Sequence, residues 1–170
     1  MADSNRAREG EQGENKHAIV IGINEYENKE IPTLEGAEND AIELNKSLTN
    51  SNLGFTISEG HYLRGKEATN KAINKTISEI FRKSKDQFID LILFYFSGHG
   101  FTDKETKAGY IAPYDMDPED PDFCGIRMDV LRNAAFGSKT KANVLMVLDC
   151  CYAGIVTKGT KGDSSQAKNI

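Results

Sequence analysis

A histidine and a cysteine each stand directly after an apolar run of strand length. His99 lies in S-G-H-G after the run L-I-L-F-Y-F, and Cys151 follows V-L-M-V-L-D-C. Runs this short and apolar suit strands buried on both faces of a parallel sheet. The carboxyl ends of such strands meet at one edge, where α/β proteins gather their chemistry. A thiolate attacks carbonyl groups and an imidazole lowers the thiol pKa, so the pattern predicts a Cys/His pair for nucleophilic catalysis.

Each of these residues also has a structural interpretation. His99 between two glycines is equally well explained as an ordinary loop histidine, and a cysteine without a disulfide is most often a small buried hydrophobe. The strand-end position of Cys151 and the glycine three residues later, which permits a sharp turn, favour the catalytic interpretation.

Length and charge limit the function classes. The chain has 170 residues and a net charge of −5, which predicts a single domain and gives little support for nucleic-acid binding. No apolar run approaches the roughly 20 residues that span a bilayer, and the N-terminus lacks a signal-peptide pattern. The three cysteines have no framework spacing, which favours reduced thiols in the cytoplasm.

The first half of the chain alternates strand and helix patterns. Residues 1–16 are charged and glycine-rich, and we expect a disordered leader before a domain spanning 17–156. The patterns predict a strand at His17–Ile23, a helix at Gly36–Leu53, a strand at Ile57–Leu63 and a helix at Ala68–Lys85, with Thr69 as a cap for the last. His17 and His61 flank strands and are expected to be surface or edge residues.

The second half continues this order. A strand at Leu91–Phe96 precedes a polar loop, a hairpin or loop segment at Gly109–Asp115, a helix at Met128–Ala135 and the strand that starts at Val144; residues 157–170 resemble a flexible tail or processing linker. Alternating strands and helices indicate an α/β fold, a three-layer sandwich whose mostly parallel central sheet carries helices on both faces.

The motifs together resemble the signatures of a known family. Y-F-S-G-H-G and L-D-C-C-Y-A-G are similar to the histidine and cysteine motifs of the caspase-like cysteine peptidases, and are most like those of metacaspases and prokaryotic orthocaspases. In that group the nucleophile lies two residues after an aspartate, which selects Cys151 over Cys150. The segments A-I-V-I-G-I-N-E-Y and L-E-G-A-E-N-D-A also match, so the resemblance extends from about Lys16 to Ile155.

The resemblance implies acyl transfer. Cys151 would attack a peptide carbonyl, His99 would act as acid and base, and the backbone N–H groups of Gly100 and Cys151 would hold the oxyanion. It also implies that Asp40 and Asp149 line the pocket for the residue before the scissile bond, and two carboxylates there would favour Arg or Lys in a protein or peptide substrate. Alternatively, Asp40 complements a helix dipole and Asp149 is a strand-end acceptor.

The other reactive residues are assigned structural roles. Cys150 is expected to face the core, opposite to Cys151, and Cys124 is expected to be structural. We expect no metal or cofactor. Calcium activation is the one exception, because calcium activates several metacaspases, which this chain resembles. The segment from Asp115 to Asp122 carries the oxygen ligands that calcium prefers, although its spacing is not that of an EF-hand loop.

The resemblance also implies a missing portion. Members of the family complete their sheet and substrate groove with a small-subunit portion. We therefore expect either this portion of the same protease or a regulatory protein as a partner. Lys158 and Lys161 are candidate sites of self-cleavage, typical of a regulated protease in cell death, stress or defence. A catalytically silent scaffold of the same fold is the second hypothesis. A nucleotide-binding protein is disfavoured, because no phosphate-binding glycine motif follows the first strand.

Overall fold

The protein is described from a computed structural model that covers residues 15–50, 52–103, 105–136 and 141–150. Predictions for residues 1–14, for Cys151 and for the tail at 157–170 therefore lie outside the described residues. The elements in chain order are β1 (Lys16–Gly22), α1 (Ala37–Asn50), β2 (Phe55–Thr56), β3 (Tyr62–Arg64), a 3₁₀ turn (Gly65–Glu67), α2 (Asn70–Asp86), β4 (Leu91–Ser97), β5 (Gly100–Thr102), β6 (Gly109–Ile111), α3 (Pro121–Cys124), β7 (Ile126–Arg127), α4 (Met128–Phe136) and β8 (Asn143–Asp149).

The main sheet is parallel throughout. β1 pairs with β4 along its full length, β4 pairs with β8, and β2 and β3 share the other edge of β1. Parallel strands need crossovers, and α1 and α2 supply the first two of these. The α/β fold with a mostly parallel central sheet and helices on both faces, predicted from the alternating patterns, is confirmed.

The two faces of the sheet carry cores of different size. On the face covered by α2 and α4, side chains such as Ile19, Ile92 and Phe94 join the larger core. On the opposite face, Ala18, Val20 and Leu93 pack with α1 in a smaller core. Residues of β1 and β4 are apolar at nearly every position because both faces of these strands are covered.

Local sequence signals explain the long helix α2. The Thr69 side chain accepts a hydrogen bond from the Ala72 amide at 3.2 Å, so the predicted cap is present. Lys83 and Lys85 lie in the last turn, where cations complement the helix dipole.

The predicted strand at Ile57–Leu63 is wrong. Two short strands occupy this edge, β2 against the start of β1 and β3 against its end, with a turn between them. In that turn the His61 amide bonds the Ser58 carbonyl at 2.9 Å, and Gly60 adopts φ = 77°. A positive φ suits glycine, so the chain turns there instead of continuing as one strand.

His17 and His61, predicted as surface or edge residues, do not lie at the surface, because their exposed fractions are only 3% and 5%. His61 directly precedes the edge strand β3. Nδ1 of each ring is buried without a hydrogen-bond partner within the described residues. Burial is the main cause that lowers the pKa of both imidazoles, and the positive charge of Lys83 acts in the same direction.

A small antiparallel sheet stands beyond the carboxyl end of β4. β5, β6 and β7 pair in that order. The segment that begins at Gly109, predicted as a hairpin or loop, therefore forms a hairpin with β5. The rings of Phe101 and Tyr110 stack across it with centroids 4.8 Å apart. This sheet starts at Gly100 and thereby anchors the residues after His99.

Gly22 lets α1 approach the sheet closely. A Cβ added there would lie 2.4 Å from the Ala37 carbonyl oxygen and 2.6 Å from the Ala41 Cβ, distances that side chains cannot keep. The absence of a side chain at the end of β1 therefore sets the height of α1 above the sheet, and with it the position of Asp40 on that helix.

The face of β8 that lies on the α1 side of the sheet is exposed. Leu145 is 51% exposed and Val147 is 39% exposed, whereas the alternate residues Val144, Met146 and Leu148 pack on the larger core. Within the described residues, no further strand pairs with the outer edge of β8.

Candidate active site

The loop that carries His99 is fixed by three backbone hydrogen bonds. The Ile23 amide donates to the Ser97 carbonyl at 3.0 Å, the Gly98 amide to the Asp149 carbonyl at 3.2 Å, and the Ala112 amide to the His99 carbonyl at 2.9 Å. Segments after β1, β6 and β8 therefore converge on the end of β4. This is the strand edge at which the sequence predicts the chemistry.

Gly98 is required by close packing. A Cβ at this position would lie 2.8 Å from Cζ of Phe96 and 3.0 Å from the hydroxyl oxygen of Tyr26. Any side chain would push the backbone before His99 away from the core.

The His99 imidazole is oriented by a backbone carbonyl. Its Nε2 lies 2.8 Å from the Pro32 carbonyl oxygen. A carbonyl only accepts hydrogen bonds, so the ring must donate from Nε2, and a neutral imidazole then carries its lone pair on Nδ1. His99 is half-buried, and Nδ1 is the nitrogen available for proton exchange.

Gly100 presents its backbone N–H away from the hairpin ladder. The Ala112 amide bonds the His99 carbonyl, whereas Gly100 is in register with Ile111. Hydrogen-bonded and non-hydrogen-bonded pairs alternate in antiparallel ladders, so Gly100 and Ile111 form a non-hydrogen-bonded pair. The Gly100 N–H is therefore directed out of the ladder and can bind an anionic oxygen.

A family model for the caspase domain of the C14 peptidases matches residues 15–169. The chain belongs to the caspase-domain family of cysteine peptidases. The match covers most of the sequence and includes both the His99 motif and the Cys151 motif. A search of curated proteins returned no match for the chain.

An acidic hollow flanks the site of this caspase domain on the α1 side of the sheet. Gly22, Ser97 and Asp149 are neighbours across three parallel strands, so their positions form one row at the carboxyl end of the sheet. α1 packs directly over Gly22, and Asp40 of this helix and Asp149 at the end of the row are both exposed. We call the surface between these two carboxylates the acidic hollow.

Tyr95 lies beneath the acidic hollow. It precedes Ser97 by two residues, so both side chains lie on the α1 face of β4. Burial raises the pKa of the Tyr95 phenol, the bond from Ser97 lowers it, and the negative charges of Asp40 and Asp149 raise it further. Both carboxylates therefore act electrostatically on the same phenol.

Cys151 lies outside the described residues. Its neighbours are described: Asp149 is exposed at the end of β8, and Cys150 is half-buried against the larger core. The Gly98 amide bond to the Asp149 carbonyl ties the end of β8 to the histidine loop. The end of β8, up to residue 150, therefore lies beside the loop that carries His99.

Sequence reasoning missed Tyr26 and Pro32. Both lie in the polar segment N-E-Y-E-N-K-E-I-P that follows β1. Pro32 acts through a backbone carbonyl, which leaves no side-chain signal. Tyr26 left one signal, a single aromatic residue in a polar stretch, and it is only 1% exposed.

The carboxylates of the acidic segment make local hydrogen bonds. Asp115 accepts a hydrogen bond from the Asn70 amide at 2.6 Å, Asp117 accepts one from the Glu119 amide, and Asp122 is bonded by the Tyr110 hydroxyl. Among the described residues, no three carboxylate, imidazole or thiol groups converge as metal ligands. Calcium dependence stays a question for assay.

Over the described ranges, no helix is both long enough and apolar enough to cross a bilayer.

Proposed function

We propose that this caspase domain is the histidine- and nucleophile-bearing portion of a cysteine endopeptidase that cleaves after Arg or Lys. The observation that carries the proposal is the fixed His99 ring, whose Nε2 is bonded to a backbone carbonyl at 2.8 Å and whose Nδ1 is left for proton transfer. A loop histidine without a function has no need of this orientation.

In the proposed reaction the Cys151 thiolate attacks the carbonyl carbon of the scissile peptide bond. A C–S bond forms, and the carbonyl oxygen takes the negative charge beside the N–H groups of Gly100 and Cys151. His99 then donates a proton to the amide nitrogen, the C–N bond breaks, and the amine product leaves.

The thioester is hydrolysed by the same groups. Water gives a proton to His99 as its oxygen attacks the thioester carbonyl, and the C–S bond breaks to release the acid and restore the thiolate. His99 thus returns to its starting protonation state. The outward N–H of Gly100 supports the oxyanion role in both halves of the reaction.

The acidic hollow supports specificity for basic residues. Asp40 and Asp149 would attract a guanidinium or ammonium group and repel an acidic side chain. The half-buried ring of Tyr95 offers an apolar surface for the methylene stem of Arg or Lys and a π face for its cation. These contacts favour cleavage after Arg and Lys over cleavage after Asp.

The exposed face of β8 supports the need for a further portion of the peptidase. Leu145 and Val147 are large apolar side chains beside the catalytic edge, at 51% and 39% exposure. We propose that a small-subunit portion of the same protease covers them and continues the sheet. Cleavage at Lys158 or Lys161, in a regulated protease of cell death, stress or defence in the cytoplasm, would separate the two portions.

A non-catalytic scaffold is the second candidate. The same exposed pair, Leu145 and Val147, favours it, because an apolar surface of this kind also suits a partner protein. In that case His99 and Cys151 would have no substrate.

The deciding experiment measures hydrolysis of fluorogenic peptides with Arg, Lys, Asp or Leu before the reporter, with and without calcium. The full-length protein is compared with Cys151→Ala and with Cys150→Ala, a matched control that removes the neighbouring thiol. Hydrolysis after Arg and Lys that is lost only in Cys151→Ala supports the proposal. Hydrolysis after Asp would contradict the basic specificity, and no hydrolysis under any condition would favour the scaffold.

An active-site label gives a second readout. A chloromethyl ketone that carries Arg should alkylate Cys151, and mass spectrometry of the digested protein identifies the modified residue. Modification of Cys150 instead would contradict the choice of nucleophile.

A further inference from the structure

Tyr26 is a buried aromatic residue in an otherwise polar segment and contacts His99 in two ways. Its hydroxyl oxygen accepts a hydrogen bond from the His99 backbone N–H at 2.7 Å. Its ring lies 5.4 Å from the imidazole centroid, tilted by 43°. Only 1% of Tyr26 is exposed, so its hydroxyl has been taken from water to make this contact.

We propose that Tyr26 is a positioning residue for His99: its hydroxyl fixes the backbone of the histidine, and its ring limits the rotation of the imidazole. The inference rests on the proposed peptidase function, in which His99 transfers protons. Tyr26 itself exchanges no proton with substrate.

The segment between β1 and α1 holds His99 at two separate points. The Tyr26 hydroxyl binds the backbone N–H, and the Pro32 carbonyl binds Nε2. With the Cα and the far edge of the ring both held, the Cα–Cβ and Cβ–Cγ torsions have little freedom left. Nδ1 is then presented in one direction.

This holding segment is itself closed and anchored. The Leu34 amide donates to the Asn24 carbonyl at 2.9 Å, and the Glu27 amide donates to the Tyr114 carbonyl at 2.9 Å. The segment therefore has its own support on either side of Tyr26. A rigid holder matters because misplacing a catalytic group by about 1 Å can reduce turnover about 100-fold.

The hydroxyl group, rather than the ring alone, is required by this geometry. Gly98 lies against the Tyr26 hydroxyl, at 3.0 Å from a Cβ built on that glycine, so the hydroxyl also defines the course of the loop before His99. Phenylalanine would keep the ring and leave the buried His99 N–H without its acceptor. Burial raises the pKa of Tyr26 above the range of any assay, so the hydroxyl stays a neutral hydrogen-bonding group.

The test compares Tyr26→Phe with Tyr110→Phe in the full-length protein. Tyr110 is also a buried residue and its hydroxyl bonds Asp122 of α3, so its variant controls for the loss of a tyrosine hydroxyl that does not contact His99. For Tyr26→Phe we expect kcat on an Arg substrate to fall about tenfold or more with KM within about twofold, because the loss affects the reacting group and not substrate binding. Tyr110→Phe should leave both constants unchanged.

A spectroscopic readout keeps the test independent of turnover. At a pH where the imidazole of wild type is neutral, ¹⁵N NMR should report the Nε2–H tautomer of His99 alone, because Pro32 accepts that proton. In Tyr26→Phe a mixture of tautomers is expected, while His17 and His61 serve as internal references. 3-Fluorotyrosine installed at position 26 alone, which weakens the acceptor without changing its shape, should give intermediate kcat and tautomer ratios.

The outcomes separate the two hypotheses. Wild-type kcat and a single tautomer in Tyr26→Phe would overturn the positioning role. An equal fall of kcat in Tyr110→Phe would overturn it too, since the effect would then be one of general stability. If wild type hydrolyses no peptide but the His99 tautomer still responds to Tyr26→Phe alone, the peptidase function fails and the positioning of His99 stands.

Discussion

Replacing Gly22 by alanine should separate helix α1 from the sheet. The new methyl group would lie 2.4 Å from the Ala37 carbonyl oxygen and 2.6 Å from the Ala41 Cβ. Both obstacles belong to the helix itself, so no side chain can rotate away. To restore a contact of 3.0 Å, the helix must retreat by at least about 0.6 Å from the strand.

Overpacking of this kind costs about 1–3 kcal/mol, and the upper part of that range is expected here because the backbone must move. For a chain of this length, each kcal/mol lowers the melting temperature by about 2–4 °C, so Gly22→Ala should melt roughly 4–12 °C below wild type. Because α1 carries Asp40, discrimination between Arg and Leu substrates should also weaken.

Differential scanning calorimetry and urea unfolding provide the measurement, with Gly36→Ala as the matched control. A Cβ at Gly36 meets only a carboxylate oxygen of Asp40 at 3.7 Å, an ordinary contact, so that variant should melt close to wild type. Equal melting temperatures for Gly22→Ala and wild type would refute the close approach of α1. An equal loss in both variants would attribute the effect to glycine replacement in general.

Three further perturbations follow from the structure. Burial lowers the pKa of His17 and His61 below the value of 6.5 in the unfolded chain, so between about pH 7.5 and about pH 5.5 the unfolded chain takes up protons that the native protein does not. The free energy of unfolding should therefore fall as the pH falls over this range. A urea midpoint that falls just as steeply in His17→Gln would refute this. Thr69→Ala removes the cap of α2 and should cost about 1 kcal/mol in urea unfolding, whereas no change would show that the hydroxyl contact contributes nothing. Asp149→Asn and Asp40→Asn should each lower kcat/KM for Arg peptides about threefold to fivefold, an effect of about 0.6–1 kcal/mol at an exposed site, with Leu peptides as the reference. Equal losses on both peptides would contradict the acidic hollow.

The central strands can be predicted from the sequence because their apolar pattern is unambiguous. Nearly every residue of Lys16–Gly22 and Leu91–Ser97 is apolar, and such runs have few alternatives to a strand covered on both faces. The position of His99 at a strand end followed directly from the end of its run. The cap at Thr69 was equally visible, because capping is a local interaction.

Errors arose where tertiary contacts outweigh local pattern. The polar character of histidine and the strand-flanking positions predict surface or edge residues at His17 and His61, but both are buried, near enough to Lys83 of α2 for its charge to lower their pKa values. The run at Ile57–Leu63 contains enough apolar residues for one strand, yet the turn at Gly60 divides it. Burial by a distant helix is not encoded in a local pattern.

The holder of His99 could not be derived from side-chain types. The Pro32 contribution is a carbonyl oxygen, which every residue possesses, and only the folded path of the chain brings it to Nε2. The Tyr26 contact depends on an amide of a residue far along the chain. Motifs in the sequence therefore predict candidate reacting groups but not the groups that orient them.

The pairing of β4 has a consequence for how the sheet opens. β4 is hydrogen-bonded to β1 on one side and to β8 on the other along its whole length. In β8, only alternate amides bond β4 within the described residues, and the others point outward. Amide hydrogen exchange should therefore be slowest in β4 and should alternate between slow and fast along β8. Fluctuations that detach β8 would release the Asp149 carbonyl from the Gly98 amide, so the strand that leads into the Cys151 motif is one whose opening also frees the histidine loop.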